Sequence, residues 1–358
     1  MLPWLAEHPG NPSGSHRLAR EARRAIDDAR DAVAALIDAD PGDVVFTSGG
    51  TEADNLAVDG VLGARGGVAV CGATEHPAVL DPVRLSGGVV VPTDVGGRID
   101  LGALVDALDA IADVRLVSVM AANNETGVVN PVPEVAALVA EHAPEALVHT
   151  DAVQATAWLD LSDACRGAHL VSITGHKFGG PKGAGALVLR GGATVAPMLR
   201  GGGQERERRS GTQNVPAIVG LGMAATLVTA DREATAARVG ALRDRLEAGL
   251  LSAVPTARRT VPDDVPRTPG VAHVCFPGIE SEALLFLLER DGISASAAAS
   301  CASGAQEPSH VLAAMGVDRD DAVGSLRLSL GHATTDAEVD HALAAVPAAV
   351  ARLLEHTR

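Results

Sequence analysis

Tyrosine is absent from this chain of 358 residues, and aromatic residues make up only 2% of it. The core must therefore be filled by Ala, Val and Leu. Basic charge is also scarce, since 29 Lys and Arg stand against 45 Asp and Glu, and the formal net charge is −16. This balance argues against a nucleic-acid-binding protein, which needs a basic surface, and against binding to an anionic membrane.

The sequence also lacks a signal-peptide pattern, and no apolar run in it approaches the roughly 20 residues of a membrane span. We therefore expect a cytoplasmic protein. Its four cysteines show neither paired nor zinc-like spacing, so we expect free thiols and no resident metal. Cys71 and Cys275 lie in apolar runs typical of core strands, whereas Cys165 stands in a polar connection that leaves its burial open.

Strand and helix patterns alternate from residue 43 to residue 149, which predicts an open, mainly parallel α/β sheet. A long Ala-rich helix over residues 217–251 follows, and mixed strands and helices come after it. A chain of this length has room for two domains. We predict an N-terminal segment 1–15, a large domain 16–237 and a smaller α+β domain 238–358.

Polar residues follow the predicted strands, where parallel sheets form their binding crevice. Around Ser48–Glu52 the sequence predicts a strand, a glycine turn and a helix. This arrangement directs backbone N–H groups and a helix N-terminus at a bound anion. Lys177 follows a buried apolar run, and a partly desolvated amine there could form a Schiff base with a carbonyl cofactor. Together with His76 and Asp151, the predicted anion-binding turn and Lys177 match the groups that a pyridine aldehyde phosphate requires. Taken singly, each residue also fits an ordinary solvated loop, turn or helix cap.

Two further residues stand out in the C-terminal part. Cys301 lies among small residues at 294–303, which makes it a candidate exposed nucleophile or an incidental cysteine in a linker. Arg327 is a charge on the otherwise apolar strand 325–329, where an arginine usually meets a carboxylate of the protein or of a substrate. The glycine-rich loop 201–212 is equally compatible with a flexible solvated loop.

Together these stretches resemble the cysteine desulfurases, in the class V aminotransferase group of fold-type-I pyridoxal-phosphate enzymes. The resemblance spans nearly the whole chain, and the long cysteine loop is similar to the iron–sulfur-assembly type. It implies a fold-type-I transferase fold with a large parallel-sheet domain. The matching motifs are 47–55, 74–80, 123–127, 149–154, 172–183, 201–212, the Cys301 loop with 307–309, and 325–331.

The resemblance also implies roles at the cofactor ring. Lys177 would bind pyridoxal 5′-phosphate covalently, and Asp151 would pair with its pyridinium nitrogen. His76 would stack on the ring and assist proton transfers. Two amides, Asn124 and Gln154, would contact the ring oxygen O3′.

The resemblance also implies which residues bind the phosphate, the substrate carboxylate and the transferred sulfur. The phosphate ligands implied are Gly50, Thr51, Thr174 and His176, with Thr212 from the second subunit of a homodimer. Arg327, with Asn124, would bind the carboxylate of L-cysteine. Cys301 would take the sulfur as a persulfide, release L-alanine and pass the sulfur to an acceptor protein. Apart from a transient iron–sulfur contact at Cys301, no metal is implied.

Other functions of the same fold remain open at this point: a selenocysteine lyase, a class V aminotransferase, or a non-catalytic sulfur carrier or scaffold subunit. The chain departs from the family in Ala298–Cys301, where Gly-Ser-Ala-Cys is usual, and this difference stiffens the loop slightly. It also starts at Met1, within the family's first helix and without the preceding strand. We therefore expect roughly 20 to 40 further native residues upstream; the alternative is a short variant whose first helix starts here, with Pro3 at an early helical position.

Overall fold

The computed structural model describes residues 1–297 and 309–356. Its helices are α1 Leu2–Ala6, α2 Arg17–Ile37, α3 Gly50–Arg65, α4 Pro77–Leu85, α5 Leu101–Ala110, α6 Val132–His142, α7 Leu161–Ala164, α8 Val215–Ala253, α9 Ser281–Arg290, α10 His310–Ala314, α11 Arg319–Val323 and α12 Asp336–His356. Its strands are β1 Val44–Thr47, β2 Val68–Gly72, β3 Val89–Val91, β4 Val114–Ser118, β5 Leu147–Asp151, β6 Leu170–Thr174, β7 Gly185–Leu189, β8 Arg258–Arg259, β9 Val271–Cys275 and β10 Ser325–Ser329.

The chain divides into two compact units. Unit 1 consists of Met1–Val91, Ile99–Ala121 and Asn130–Arg232, and unit 2 of Pro92–Arg98, Ala122–Val129 and Glu233–Arg358. The boundary therefore falls within α8, and two short segments of the N-terminal half belong to unit 2. The predicted domain limits at 15/16 and 237/238 stay a prediction.

Unit 1 is built on a seven-stranded sheet with the order β1-β7-β6-β5-β4-β2-β3. The strands β2 to β6 pair in parallel, and β7 is antiparallel to both β1 and β6. Helix α3 packs against β4, β6 and β7. Every residue of β6 and β7 is buried, as expected for strands covered on both faces. The mainly parallel α/β sheet is thus confirmed.

Some strand limits differ from the expectation. The strands β5 and β6 continue to Asp151 and Thr174, because their polar terminal residues are buried and still pair in the ladder. Asp151 and Thr174 are therefore strand residues, although Asp151 was expected in a loop. Strand β7 was not predicted, because glycines surround its short apolar run.

Unit 2 contains a three-stranded antiparallel sheet with the order β10-β9-β8. Near Ile293 the described chain forms no strand, since the only pairing in that stretch is an isolated bridge between Ser296 and Arg327. Strand β8 consists of only two residues, Arg258–Arg259. A separate small core in this unit contains Val128, Val311 and Leu312.

The expectation about apolar runs needs a correction. Helix α8 is long and apolar enough to cross a membrane by length and composition alone, and 39% of its most apolar window is buried. Core helices of soluble proteins pass the same test, and Ile218, Leu221 and Ala225 of α8 are buried. Cys165 is also buried, as are Cys71 and Cys275, and all three are free thiols.

Candidate active site

The segment after β6 forms a tight turn that presents Lys177. Residues Gly175–Lys177 form one turn of 3₁₀ helix, in which the N–H groups of Phe178 and Gly180 donate to the carbonyl of Gly175. A Cβ on Gly175 would lie 3.0 Å from the carbonyl oxygen of Pro181, so the close approach requires glycine. Lys177 itself is exposed in the single chain.

Asp151 lies at the end of β5, beside the strand that leads to Lys177. Asp151 is 6% exposed, and its Oδ1 accepts a hydrogen bond of 2.8 Å from the N–H of Val153. Burial raises the pKa of Asp151 to about 6, while the Val153 N–H and the Lys177 charge act in the opposite direction. A buried carboxyl group of this kind gains most from a cationic partner, such as a protonated ring nitrogen.

The turn from β1 into α3 lies beside the same strand ends. A Cβ on Gly50 would come within 2.9 Å of the Val153 side chain and 3.6 Å of Thr174, so the helix start packs directly on the loop after β5 and on β6. The N–H of Ser48 donates to Glu52 Oε2 at 2.8 Å, which fixes the turn. The first N–H groups of a 16-residue helix are therefore held next to Thr174.

Thr174 and His176 extend this anion-binding arrangement. Thr174 Oγ1 and His176 Nδ1 are 3.2 Å apart, and Thr174 is buried while His176 is exposed. Burial and the nearby charges of Lys177 and Lys182 lower the pKa of His176. The donors and positive charges around this turn suit a phosphate group.

His76 is the N-cap of α4. Its Nδ1 accepts from the N–H of Ala78 at 3.1 Å, and Pro77 occupies the first helical position. The ring is exposed and lines a cavity of about 560 Å³ together with Thr51 and Asn55. The structure thus brings two of the predicted site residues, His76 and Thr51, to one cavity.

The remaining predicted residues of unit 1 are less constrained. Gln154 lies in the turn after β5 and is half-buried. Thr212 is exposed at the end of the glycine-rich loop, upstream of α8. The loop itself is anchored, because Arg209 donates to Glu52 Oε1 at 2.7 Å. The alternative of a flexible solvated loop is therefore wrong for its Arg209 end.

Unit 2 holds Asn124 and Arg327. Arg327 Nη1 donates to the carbonyl oxygen of Asn124 at 3.1 Å. The adjacent Glu125 is buried and bonded to the Ser309 hydroxyl, and burial raises its pKa. Cys301 lies outside the described residues.

A group of buried polar residues behind Asp151 was not anticipated as a unit. His149 bonds Ser118 Oγ through Nδ1 at 2.8 Å and Ser172 Oγ through Nε2 at 2.9 Å. Burial lowers the pKa of His149 to about 3, so the imidazole is neutral. Asp54 Oδ1 lies 3.6 Å from His149 Nε2. Burial, reinforced by Asp151 and Glu75, raises the pKa of Asp54.

One sequence signal could have identified Asp54. It shares helical spacing with the buried residues Gly50, Ala53, Ala57 and Val61 of α3, so it occupies the apolar face of the helix. A carboxyl group on that face must have a polar partner or stay protonated.

The residues of unit 1 fit pyridoxal phosphate. The cofactor needs a lysine, a buried carboxylate for the ring nitrogen and a phosphate site at a helix N-terminus. Lys177, Asp151 and the Gly50–Thr51 turn supply these three features around neighbouring strand ends. The fold and these residues together define the class of protein as fold type I.

Comparison with known proteins gives the family. The sequence profile described as "Aminotransferase class-V" matches residues 1–342, so the chain belongs to the class V aminotransferase family. A solved structure titled "NIFS-LIKE PROTEIN" superposes with a TM-score of 0.89, at 34% identity, over 98% of this chain and 94% of that one.

Curated relatives narrow the class. The chain is 45% identical to the "IscS-like cysteine desulfurase" of Mycobacterium tuberculosis (strain ATCC 25618 / H37Rv), over 96% of this chain and 90% of the relative. It is 42% identical to the "Cysteine desulfurase NifS" of Azotobacter vinelandii, over 99% of this chain and 89% of the relative. Within the class V family, this chain is therefore similar to proteins named as cysteine desulfurases.

Proposed function

We propose that this chain is a pyridoxal-phosphate-dependent L-cysteine desulfurase, which transfers the sulfur of cysteine to Cys301 as a persulfide and releases L-alanine. The observation that carries the proposal is the placement of Asp151 and Lys177 at the ends of the neighbouring strands β5 and β6 in unit 1. The Lys177 charge acts to lower the pKa of the buried Asp151 carboxyl group. The glycine turn at the start of α3 packs beside the ends of both strands. The names of the relatives support the same activity.

Pyridoxal phosphate, when bound, supplies an electron sink for the bond changes at the carbon skeleton of the amino acid. Lys177 Nζ would hold the cofactor covalently and yield that position to the substrate amine. The Asp151 carboxylate would keep a proton on the ring nitrogen. Thr51, Thr174 and His176, with the start of α3, would hold the phosphate.

The sulfur step needs a thiolate outside this set. Cys301 would attack the substrate sulfur, so that an S–S bond forms while the C–S bond of the substrate breaks. The electron pair of the broken bond stays with the carbon skeleton, which takes up protons and leaves as alanine. Arg327 would hold the substrate carboxylate through its guanidinium. His76, exposed in the cavity beside Thr51, is suited to move protons there.

The partners of the reaction belong to the same proposal. We propose a homodimer in which Thr212 completes the phosphate site of the partner subunit, a role that its exposure at the loop end permits. The persulfide would pass to a sulfur-acceptor protein of iron–sulfur assembly, in line with the relatives' names. A reducing compartment such as the cytoplasm suits the three free thiols.

The experiment compares the wild-type protein, Cys301→Ser and the loop control Ser303→Ala, each loaded with pyridoxal phosphate and given L-cysteine. The wild type and Ser303→Ala should form alanine and sulfide in equal amounts when a thiol reductant is present. Cys301→Ser should still bind cysteine, because Lys177, Asp151 and Arg327 remain, but release almost no sulfide.

Three outcomes would contradict the proposal. Wild-type sulfide release by Cys301→Ser would exclude the persulfide. A wild-type chain that binds the cofactor but forms no alanine would favour a carrier or scaffold subunit. Preferential turnover of selenocysteine, or transfer of the amino group to an oxo acid, would favour a selenocysteine lyase or an aminotransferase.

A further inference from the structure

One face of the small sheet in unit 2 is polar although it is buried. In the β9–β10 ladder, His273 lies directly opposite Arg327, and Cys275 lies opposite Ser325. Side chains at alternate positions share a face, so these four lie together. The other face carries Val274, Ala272, Leu326 and Leu328, which are buried apolar residues. A polar cluster on a covered sheet face needs partners for its polar atoms.

Three atoms of this cluster lack such partners. His273 Nε2, Arg327 Nε and Ser325 Oγ are buried and have no hydrogen-bond partner within the described parts of the chain, residues 1–297 and 309–356. His273 is only 1% exposed, and Ser325 is fully buried. The three atoms come from two adjacent strands, so they mark one place in the sheet.

The orientation of the His273 ring follows from its one partner. Nδ1 lies 2.6 Å from Thr260 Oγ1, and Thr260 directly follows β8. Because β9 lies between β8 and β10, the contact with Thr260 turns Nδ1 away from the β10 side. Nε2 is the ring nitrogen left for the side of Arg327.

Charge then selects the tautomer. Burial and the nearby Arg327 charge lower the pKa of His273 to about 3, so the imidazole is neutral. A guanidinium favours a ring nitrogen that shows its lone pair over one that shows an N–H. This arrangement favours the tautomer with the proton on Nδ1, donated to Thr260 Oγ1, which itself lies 3.6 Å from Cys275 Sγ.

We propose that His273 is a positioning residue for Arg327: its Nε2 accepts the Arg327 Nε–H when the guanidinium turns its outer edge to the substrate carboxylate. In the present structure Arg327 Nη1 contacts the carbonyl of Asn124 instead. A carboxylate binds best to two parallel N–H groups of one guanidinium. A hydrogen-bond acceptor for the Arg327 Nε–H fixes the guanidinium plane, so that its two outer N–H groups point toward the substrate carboxylate. His273 therefore strengthens the binding of α-carboxylates without contacting them.

This inference rests on the proposed function, and its test separates the two. The variants are His273→Leu, which removes the acceptor, His273→Gln, which restores one, and His169→Leu as a matched control in unit 1. His169 accepts from the Val148 N–H and has no role in the proposed site. Each loaded variant is assayed with L-cysteine and with two competitive probes: L-alanine, and ethylamine, which has the same amine without the carboxylate.

We expect His273→Leu to raise KM for cysteine and Ki for L-alanine about tenfold, to leave Ki for ethylamine unchanged, and to change kcat less than twofold. His273→Gln should recover most of the loss, and His169→Leu should leave all of these constants near wild type. Nitrogen NMR of the cofactor-free protein should find His273 protonated at Nδ1 and bare at Nε2 from pH 8 down to pH 5.

Several results would overturn the inference. They are unchanged constants for L-alanine in a folded His273→Leu protein, an equal loss for ethylamine, or a proton on Nε2. If His273→Leu does not fold, Thr260→Val replaces it, and a Thr260→Val protein with unchanged KM overturns the inference as well. A wild-type protein that does not turn over cysteine contradicts the proposed function instead, and the NMR result still decides the state of His273.

Discussion

Glu205 holds together a strained loop, and Glu205→Gln should destabilise unit 1 strongly. Three consecutive non-glycine residues, Glu205, Arg206 and Glu207, have φ angles of 47°, 57° and 66°. A left-handed conformation costs roughly 1–2 kcal/mol for each such residue. Contacts of Glu205 offset much of this cost, with one hydrogen bond added by Arg206 Nη1 to the carbonyl oxygen of Gly42, whereas Glu207 is exposed.

The contacts of Glu205 are unusually complete. Its two carboxylate oxygens accept from the Arg30 guanidinium at 2.9 Å each, from the Phe46 N–H at 3.0 Å and from Gln213 Nε2 at 2.6 Å. The side chains of Arg30 and Glu205 are 10% and 1% exposed. Removing one partner of a buried pair costs about 3–5 kcal/mol, because the other charge is left without compensation.

Thermal unfolding measures this loss. At roughly 2.1 cal/mol/K per residue, the unfolding entropy of 358 residues is about 0.75 kcal/mol/K, so Glu205→Gln should lower Tm by about 4–7 °C. Glu207→Gln makes the same chemical change at an exposed position and should stay within about 1 °C. A Glu205→Gln protein that melts within 1 °C of wild type would refute the assigned role of this ion pair.

Four further predictions concern the proposed site. Lys177→Ala should lose the cofactor adduct that borohydride fixes to a lysine peptide, as mass spectrometry of the digest checks. Arg327→Ala should weaken cysteine binding by about 2–5 kcal/mol, seen as a raised KM. Because burial raises the pKa of Asp151 to about 6, the cofactor-free protein should lose part of its stability as pH rises from about 4 through 6. Asp151→Asn should flatten that part of the stability curve. Asp54→Asn should keep cofactor binding near wild type, because burial favours the protonated, neutral form of Asp54; a large loss of binding would show that its charge is needed.

Much of the fold could be predicted because its signals are local. Alternating apolar runs and helical spacing predict most strands and helices of unit 1, and the polar residues at strand ends point to one edge of the sheet. The structure places Asp151, Thr174 and the Gly50 turn together at that edge. Strand β7 was missed because a short apolar run between glycines has no distinctive period.

Other features depend on contacts between distant residues, and the sequence alone does not contain them. Glu205 meets Arg30 across 175 positions, and Ser309 meets Glu125 across 184. The assignment of the segment 122–129 to unit 2 is of the same kind, because it follows from long-range packing. Local patterns predict elements, whereas pairings of this length are set by the completed fold.

The charges of the buried polar residues around His149 limit the chemistry of the candidate site. Asp54, Glu75 and Asp151 are all buried, and burial raises the pKa of each carboxyl group. His149 beside them is neutral, so it offers no positive charge. If all three carboxyl groups ionised in this buried environment, their charges would repel one another. Of the three, only Asp151 has its pKa lowered by the Lys177 charge. Asp151 is therefore the carboxyl group best placed to ionise opposite a cationic ring nitrogen, whereas burial favours the neutral forms of Asp54 and Glu75.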